Sequence, residues 1–286
     1  MKVAVIGANG QLGADICLLF QERGADVLPL THAEIDIAVP NAAAHVFGEV
    51  RLDWVINTAA FHHVPRCEED PQRAFAVNAL GARNLAGYCD AAGISLLHIS
   101  TDYVFDGKKA VPYIETDSPH PLNVYGNTKL SGELFIEAMC ERHCIVRVSG
   151  IYGKHICRAK GGNFVSTMLK LSTERKTVRV VDDEVLTPTA TEDIAGQIFT
   201  LLDRGGEFGL YHVTAEGSCS WFEFAKEIFS IRRIPVIVER AEPGEFDGGL
   251  KRPKYSVLEN RFLKAQNLNV MPDWRTGLRR FLSSIP

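Results

Sequence analysis

The stretch Lys2-Val3-Ala4-Val5-Ile6-Gly7-Ala8-Asn9-Gly10-Gln11-Leu12-Gly13 decides the fold. Five residues with an apolar run read as a buried strand, and three glycines at regular spacing follow at once. Gln11–Arg23 then carries helical spacing, with Leu12, Ile16, Leu19 and Phe20 on one side and Gly24 as its stop. A strand, a glycine loop and a helix in that order form a dinucleotide cradle. One glycine permits the tight turn, one lets backbone N–H groups approach a pyrophosphate, and one allows the helix to pack close to the strand. The helix N-terminus stabilises the phosphate charge. Gly7, Asn9, Gly10, Gln11, Leu12 and Gly13 are therefore the expected cofactor contacts of this loop.

Outward from the loop, strand and helix patterns alternate. Asp26–Leu30, Trp54–Asn57, Ile94–Ile99 and Cys144–Val148 read as strands. Asn41–Val50, a long helix from Pro71 to about Ala91 closed by Gly93, and Asn123–Arg142 read as helices. Such alternation predicts an α/β fold: a doubly wound parallel sheet, Rossmann-like, with helices on both faces. After Gly150 the rhythm loosens. Asn163–Thr173, Glu192–Leu202 and Trp221–Ile231 look helical; Val178–Val181, Leu210–Val213 and Val236–Val238 look like short strands. Prolines 235, 243 and 253 and glycines 244, 248 and 249 mark long connections. The expected organisation is a dinucleotide-binding domain over 1–150. Over 151–286 it is a smaller mixed substrate-binding lobe, partly interleaved with the first.

The loop spacing is G-x-x-G-x-x-G, which resembles the extended branch of the short-chain dehydrogenase/reductase superfamily. The second strand should end in an acidic residue for NAD(H) or a basic one for NADP(H). It ends Leu30-Thr31-His32, which is neither, so both cofactors stay open. The lean is to NADPH, because no carboxylate is evident there to repel a 2′-phosphate. Asp36-Ile37 is expected after a following short strand, where this superfamily contacts the adenine ring. Asp36 reads equally well as a simple turn residue.

Val124-Tyr125-Gly126-Asn127-Thr128-Lys129 supplies Tyr-x-x-x-Lys, which sets both side chains on one face of a helix. A tyrosine titrates near pH ~10, too high for ready proton exchange at neutrality. A lysine ammonium beside it should lower that value. Tyr125 can then protonate a carbonyl oxygen as hydride reaches the carbon, and Lys129 can also hold the nicotinamide ribose. Ser100-Thr101-Asp102 follows a strand, at the sheet end where open α/β folds bind ligands. The Thr101 hydroxyl can donate to the developing oxyanion, or else simply cap the strand. Asn78, on the long helix, reads as structural support.

Composition narrows the classes. The chain has 286 residues, 46% hydrophobic and 23% charged, with net charge -4, so no basic nucleic-acid surface is expected. No apolar run is long enough to cross a bilayer, and no signal peptide is read before the first strand. A cytoplasmic protein, free of membrane, is the expectation. Seven scattered cysteines argue against a disulfide framework. Cys140, His143 and Cys144 lack a second half-site and read as a helix end entering a strand.

Longer matches add a specific resemblance. Ser100-Thr101-Asp102-Tyr103-Val104-Phe105-Asp106-Gly107 and Pro121-Leu122-Asn123-Val124-Tyr125-Gly126-Asn127-Thr128-Lys129 closely resemble the dTDP-4-dehydrorhamnose reductase family. Gly162-Asn163-Phe164, Pro188-Thr189, Leu210-Tyr211-His212 and Arg252-Pro253 with Ser256 extend the resemblance over nearly the whole chain. It implies reduction of the C4 ketone of a nucleotide-linked 4-keto-6-deoxyhexose, with Thr101, Tyr125 and Lys129 as the catalytic set. It implies cofactor contacts from Gly10, Gln11, Leu12, Asp36, Ile37, Ala59, Ala60, Phe61 and His62. It sets the sugar against Thr101, Asp102 and Gly150, and leaves a homodimer open. Three positions depart from the family pattern. Its usual Trp is Gly150, its Thr-x-Val-Asp loop is His62-His63-Val64-Pro65, and its Gln-x-Gly is Glu184-Val185-Leu186. Some relatives bridge subunits with magnesium; Asp15 and Glu192 match two of those positions but Arg275 stands at the third, so no metal is expected. Two other readings compete: a reductase or epimerase of another nucleotide sugar, and a non-catalytic NADP-binding subunit resembling the regulatory subunit of methionine adenosyltransferase.

Overall fold

The computed structural model describes residues 1–48, 50–155 and 161–285. In chain order its first part contains β1 (Lys2–Ile6), α1 (Gln11–Glu22), β2 (Asp26–Leu30), α2 (Ala42–Phe47), β3 (Trp54–Asn57), α3 (Val64–Glu69), α4 (Pro71–Phe75), α5 (Gly81–Ala92), β4 (Ser95–Thr101), α6 (Val124–Met139) and β5 (His143–Val148). Beyond it come β6 (Ile151–Tyr152), α7 (Phe164–Glu174), β7 (Thr177–Val180), β8 (Val185–Leu186), β9 (Thr189–Ala190), α8 (Thr191–Asp203), β10 (Gly209–His212), β11 (Cys219–Ser220), α9 (Trp221–Arg232), β12 (Ile237–Arg240), α10 (Arg261–Ala265) and α11 (Trp274–Ser283).

Six strands form one parallel sheet in the order β2-β1-β3-β4-β5-β10. Its strands are apolar on both faces because both are covered. Val3 and Val5 point into a core shared with Ile16 and Phe20 of α1 and Ile194 and Ile198 of α8. Ala4 and Ile6 point the other way, toward Phe47, Leu85 and Ile136. The strand order reverses between β1 and β3, the switch point at which such sheets bind ligands beyond their carboxyl ends.

Residues beyond 150 return to this layer through α8, β10 and α10. α8 and Leu263 of α10 share the α1 core, and β10 pairs with β5 through Gly209↔Cys144 to His212↔Arg147. α7, β7, α9 and α11 pack around a separate cluster that includes Tyr152, Phe224, Trp274 and Phe281. Two local expectations are corrected. No strand forms among the described residues between β2 and α2; Thr31–Asn41 runs as successive turns. The long helix from Pro71 is interrupted by a π-helical segment, Ala76–Leu80. No helix of the described residues is long and apolar enough to cross a membrane.

Candidate active site

The glycine loop is crowded in the way a cradle requires. Gly7 adopts φ +82°, and its N–H donates to Leu30 O at 2.8 Å. A Cβ on Gly13 would lie 2.2 Å from Gly7 O and 2.9 Å from Thr58 Oγ1, so only glycine lets α1 start this close to the loop. Gly10 is the N-cap of α1 and offers no side-chain hydrogen bond. The first N–H groups of the helix therefore stay available to an anion. These features fit a dinucleotide pyrophosphate. Gln11 is buried and reaches Asn163, which caps α7 and donates to Gly153 O, tying the loop to the second lobe.

The other loop expected at the cofactor follows β3. Thr58 fastens it to the glycine loop, donating through its hydroxyl to Ile6 O at 2.8 Å. Asn78 grips it from the π-helical segment: its Oδ1 accepts from Phe61 N at 2.8 Å and its Nδ2 donates to Phe61 O at 2.9 Å. The same amide donates to Thr128 Oγ1 at 3.0 Å, linking Ala59–His62 to α6. The extra backbone freedom of a π turn, which recurs at functional sites, lets Asn78 face both partners. Asp36 accepts from Ala38 N at 3.0 Å, as a turn residue does, and Ile37 is buried against Gly81.

β4 and α6 carry the expected catalytic set. Asn123 caps α6 by accepting from Gly126 N at 2.9 Å, and Glu68 accepts from Val124 N at 2.7 Å. Gly126 is obligatory here, because a Cβ would lie 2.2 Å from Tyr103 O. Tyr125 is half-buried, stands edge-on to Tyr103 at 5.7 Å, and shares a hydrogen bond with the Thr101 hydroxyl. Burial pushes its phenol upward, the Thr101 bond opposes this, and Lys129 is not among the groups acting on it. The expected lowering by lysine is therefore corrected for this structure, in which burial is the largest influence on the phenol.

Lys129 is fully buried and donates to Ile99 O at 2.6 Å, with its Nζ 2.9 Å from His98 Nε2. Burial brings its ammonium down to about 8, partly offset by Glu133. His98 is equally buried, and desolvation followed by the nearby Lys129 holds it well below its ordinary value. Asn57 Oδ1 accepts from Ala59 N, so the Asn57 amide NH₂ faces His98 Nδ1 at 2.9 Å, which places the ring between Asn57 and Lys129. Sequence reading missed Asn57 and His98. The signal was present: a polar residue ends β3, and a histidine interrupts the apolar run Leu96–Ile99.

Thr101 and Asp102 are both buried. Asp102, expected beside the sugar, has both carboxylate oxygens engaged by protein hydroxyls. Thr101 donates to Oδ1 at 3.0 Å, while Ser149 and Ser256 donate to Oδ2 at 2.8 and 2.6 Å. Burial raises its carboxyl while the three hydroxyls pull it down. Thr101 also accepts from Tyr103 N at 3.2 Å, so its rotamer is held beside Tyr125. Behind it, Arg147 makes a two-pronged pair with Glu133, which also receives the Ser100 hydroxyl.

The departures from the family pattern are physically linked. Gly150 has φ +53°, and a Cβ there would lie 2.6 Å from Leu186 Cδ1, so Leu186 fills the space a larger residue at 150 would need. His63 caps α3 by accepting from Arg66 N at 3.3 Å, and Pro65 sits in its first turn. Asp15 accepts the Thr191 hydroxyl at 2.5 Å and lies 3.6 Å from His155 Nε2, while Arg280 pairs with Asp193 and stands 3.9 Å from Glu192. Asp15 is thus engaged by the Thr191 hydroxyl and Glu192 lies beside an arginine, a donor set that does not fit a bridging magnesium. Cys140, His143 and Cys144 each face a backbone carbonyl. The six cysteines among the described residues are buried; Cys157 lies outside the described residues.

Comparison with known proteins agrees with this geometry. Residues 1–285 match the RmlD substrate binding domain family. The chain is 37% identical to the spore coat polysaccharide biosynthesis protein SpsK of Bacillus subtilis, covering 98% of this chain and 96% of that one. A crystal structure of a dTDP-4-dehydrorhamnose reductase from Clostridium acetobutylicum superposes with TM-score 0.94 at 38% identity, covering 99% of each chain. One of the same activity from Bacillus anthracis, in complex with NADP, superposes with TM-score 0.93 at 38% identity, covering 100% of this chain and 99% of that one.

Proposed function

This chain belongs to the RmlD substrate binding domain family, and we propose that it is an NAD(P)H-dependent reductase of the C4 ketone of a nucleotide-linked 4-keto-6-deoxyhexose. One observation carries the reading: Tyr125, tied to Thr101, stands at the carboxyl end of β4, with the buried Lys129 one helical turn further on. Residues 1–150 with α8 and β10 would hold the dinucleotide, and the lobe around Tyr152 and Phe224 would close over the sugar. Gly7–Gly13, Ala59–His62 and the Asp36-Ile37 turn would hold the nicotinamide dinucleotide, which would supply the hydride when bound.

The residues of this chain then manage the proton. Burial keeps the Tyr125 phenol protonated until a ketone oxygen demands the proton. Thr101, anchored by Asp102, orients that oxygen. The role proposed for the Lys129 ammonium, one helical turn along α6, is to compensate the phenolate as it forms and to grip the ribose. Gly150 borders the proposed sugar pocket, whose wall there is Leu186 rather than a large aromatic side chain.

The test is oxidation of NADH or NADPH in the presence of dTDP-4-keto-6-deoxyhexoses, with Tyr125→Phe beside the wild type. The reading expects turnover that the substitution lowers by about three orders of magnitude while cofactor affinity stays put. Tight cofactor binding with no turnover on any such sugar would refute it in favour of a non-catalytic role.

A further inference from the structure

The end of β2 holds a carboxylate that its own residues do not reveal. The expectation that none is present there is corrected by the fold. Residues Thr31–Glu34 turn back, with Glu34 N donating to Thr31 O at 3.2 Å and Ile35 N to the same oxygen at 3.1 Å. Glu34 Oε2 thereby accepts from Thr31 N at 2.7 Å and from Thr31 Oγ1 at 2.5 Å. Those two donors hold the exposed carboxyl below its ordinary range. Thr31 directly follows Leu30, whose carbonyl receives both Gly7 N and Ala8 N. The carboxylate is therefore fastened beside the glycine loop, where folds of this class bring the adenosine ribose.

Resting on the proposed function above, we infer that Glu34 sets the cofactor preference of this reductase, in favour of NADH. A ribose 2′-hydroxyl can donate a hydrogen bond to a carboxylate. A 2′-phosphate cannot, and it brings about two negative charges at neutral pH. Such a phosphate would need donors, yet the N–H and hydroxyl of Thr31 are both committed to Glu34. It would also need a cation. The turn Thr31–Ile37 holds no lysine or arginine, and its His32 points into solvent at 76% exposure and lies 3.9 Å from a second carboxylate, Asp36. The turn thus offers a 2′-phosphate two like charges, no free hydroxyl and no lysine or arginine.

The experiment is a binding titration that does not depend on turnover. Dissociation constants for NADH and NADPH are measured by cofactor fluorescence, with 5′-AMP and adenosine 2′,5′-bisphosphate as probes of the ribose end alone. Wild type is compared with Glu34→Gln, which keeps an oxygen to accept from Thr31, and with His32→Arg. Wild type should bind NADH about tenfold more tightly than NADPH, and Glu34→Gln should bring the two within about threefold. His32→Arg should narrow the gap as well, and added salt should narrow it in the wild type. Equal or tighter NADPH binding by the wild type would overturn the inference, as would a ratio unchanged in Glu34→Gln. Binding of neither cofactor would overturn the proposed function and this inference with it. Selective NADH binding without turnover on keto sugars would uphold the inference while refuting the substrate assignment.

Discussion

Replacing Gly13 by alanine tests the cradle quantitatively. Gly13 lies inside α1, where alanine is intrinsically better than glycine by about 1 kcal/mol. Propensity alone predicts a more stable protein. The structure predicts the reverse. The new methyl would sit 2.2 Å from Gly7 O, 2.8 Å from Gly7 C and 2.9 Å from Thr58 Oγ1. Two of those atoms are backbone and cannot rotate away. Overpacking that displaces backbone costs about 3 kcal/mol, so the net loss is about 2 kcal/mol. Any relief must move the Gly7 carbonyl, which also receives Gly10 N at 2.9 Å and thereby shapes the turn. Cofactor affinity should fall by about tenfold or more. Gly24→Ala is the control: φ is +79° and nothing lies within 4 Å, so it should cost about 1 kcal/mol from backbone strain and leave cofactor binding unchanged. Urea unfolding gives the stabilities and fluorescence titration the affinities. A Gly13→Ala protein as stable as wild type, binding cofactor equally well, would refute the reasoning.

Three further predictions follow from the same site. Because the folded Lys129 loses its proton at about 8 rather than at its ordinary 10.5, the folded state binds fewer protons between those values. The cost of burying its charge is thus full below pH 8 and fades as pH rises toward 10.5, while kcat/KM should decline above about pH 8; Lys129→Met should unfold about 2 kcal/mol later at neutral pH yet lose activity, checked by urea unfolding and a pH-rate profile. Asn78→Ala strands both backbone groups of Phe61 and should cost about 3 kcal/mol, with weaker cofactor binding, in the same two assays. Gly150→Trp should destabilise the protein as it stands but less so when combined with Leu186→Gly, with a coupling of more than about 1 kcal/mol in a double-mutant cycle.

What was legible in the sequence was local. The strand, loop and helix at residues 2–22 announce themselves through apolar runs and glycine spacing, because the forces that shape them act within a few residues. Tyr125 and Lys129 were legible because helical periodicity fixes their relation. Long-range contacts were not. Nothing in Gly209–His212 says that it pairs with β5 across the sheet rather than with its neighbours in the second lobe. Asp102 looks like a loop acid until Ser149 and Ser256 converge on it from distant segments. Glu34 is invisible at the end of β2 because a turn, not the strand, carries it there. α11 is a different case: Trp274, Leu278, Phe281 and Leu282 carry a helical spacing behind the Asp273 cap, so its signal is local as well.

The most direct test of the account follows the hydride itself. Wild-type protein is given NADH or NADPH deuterated at the transferable position together with dTDP-4-keto-6-deoxyhexose, and the product is examined by NMR. The account predicts deuterium bonded to C4 of a 6-deoxyhexose, with Tyr125→Phe yielding almost none. Label at another carbon, or a sugar whose configuration changes without taking up label, would contradict it.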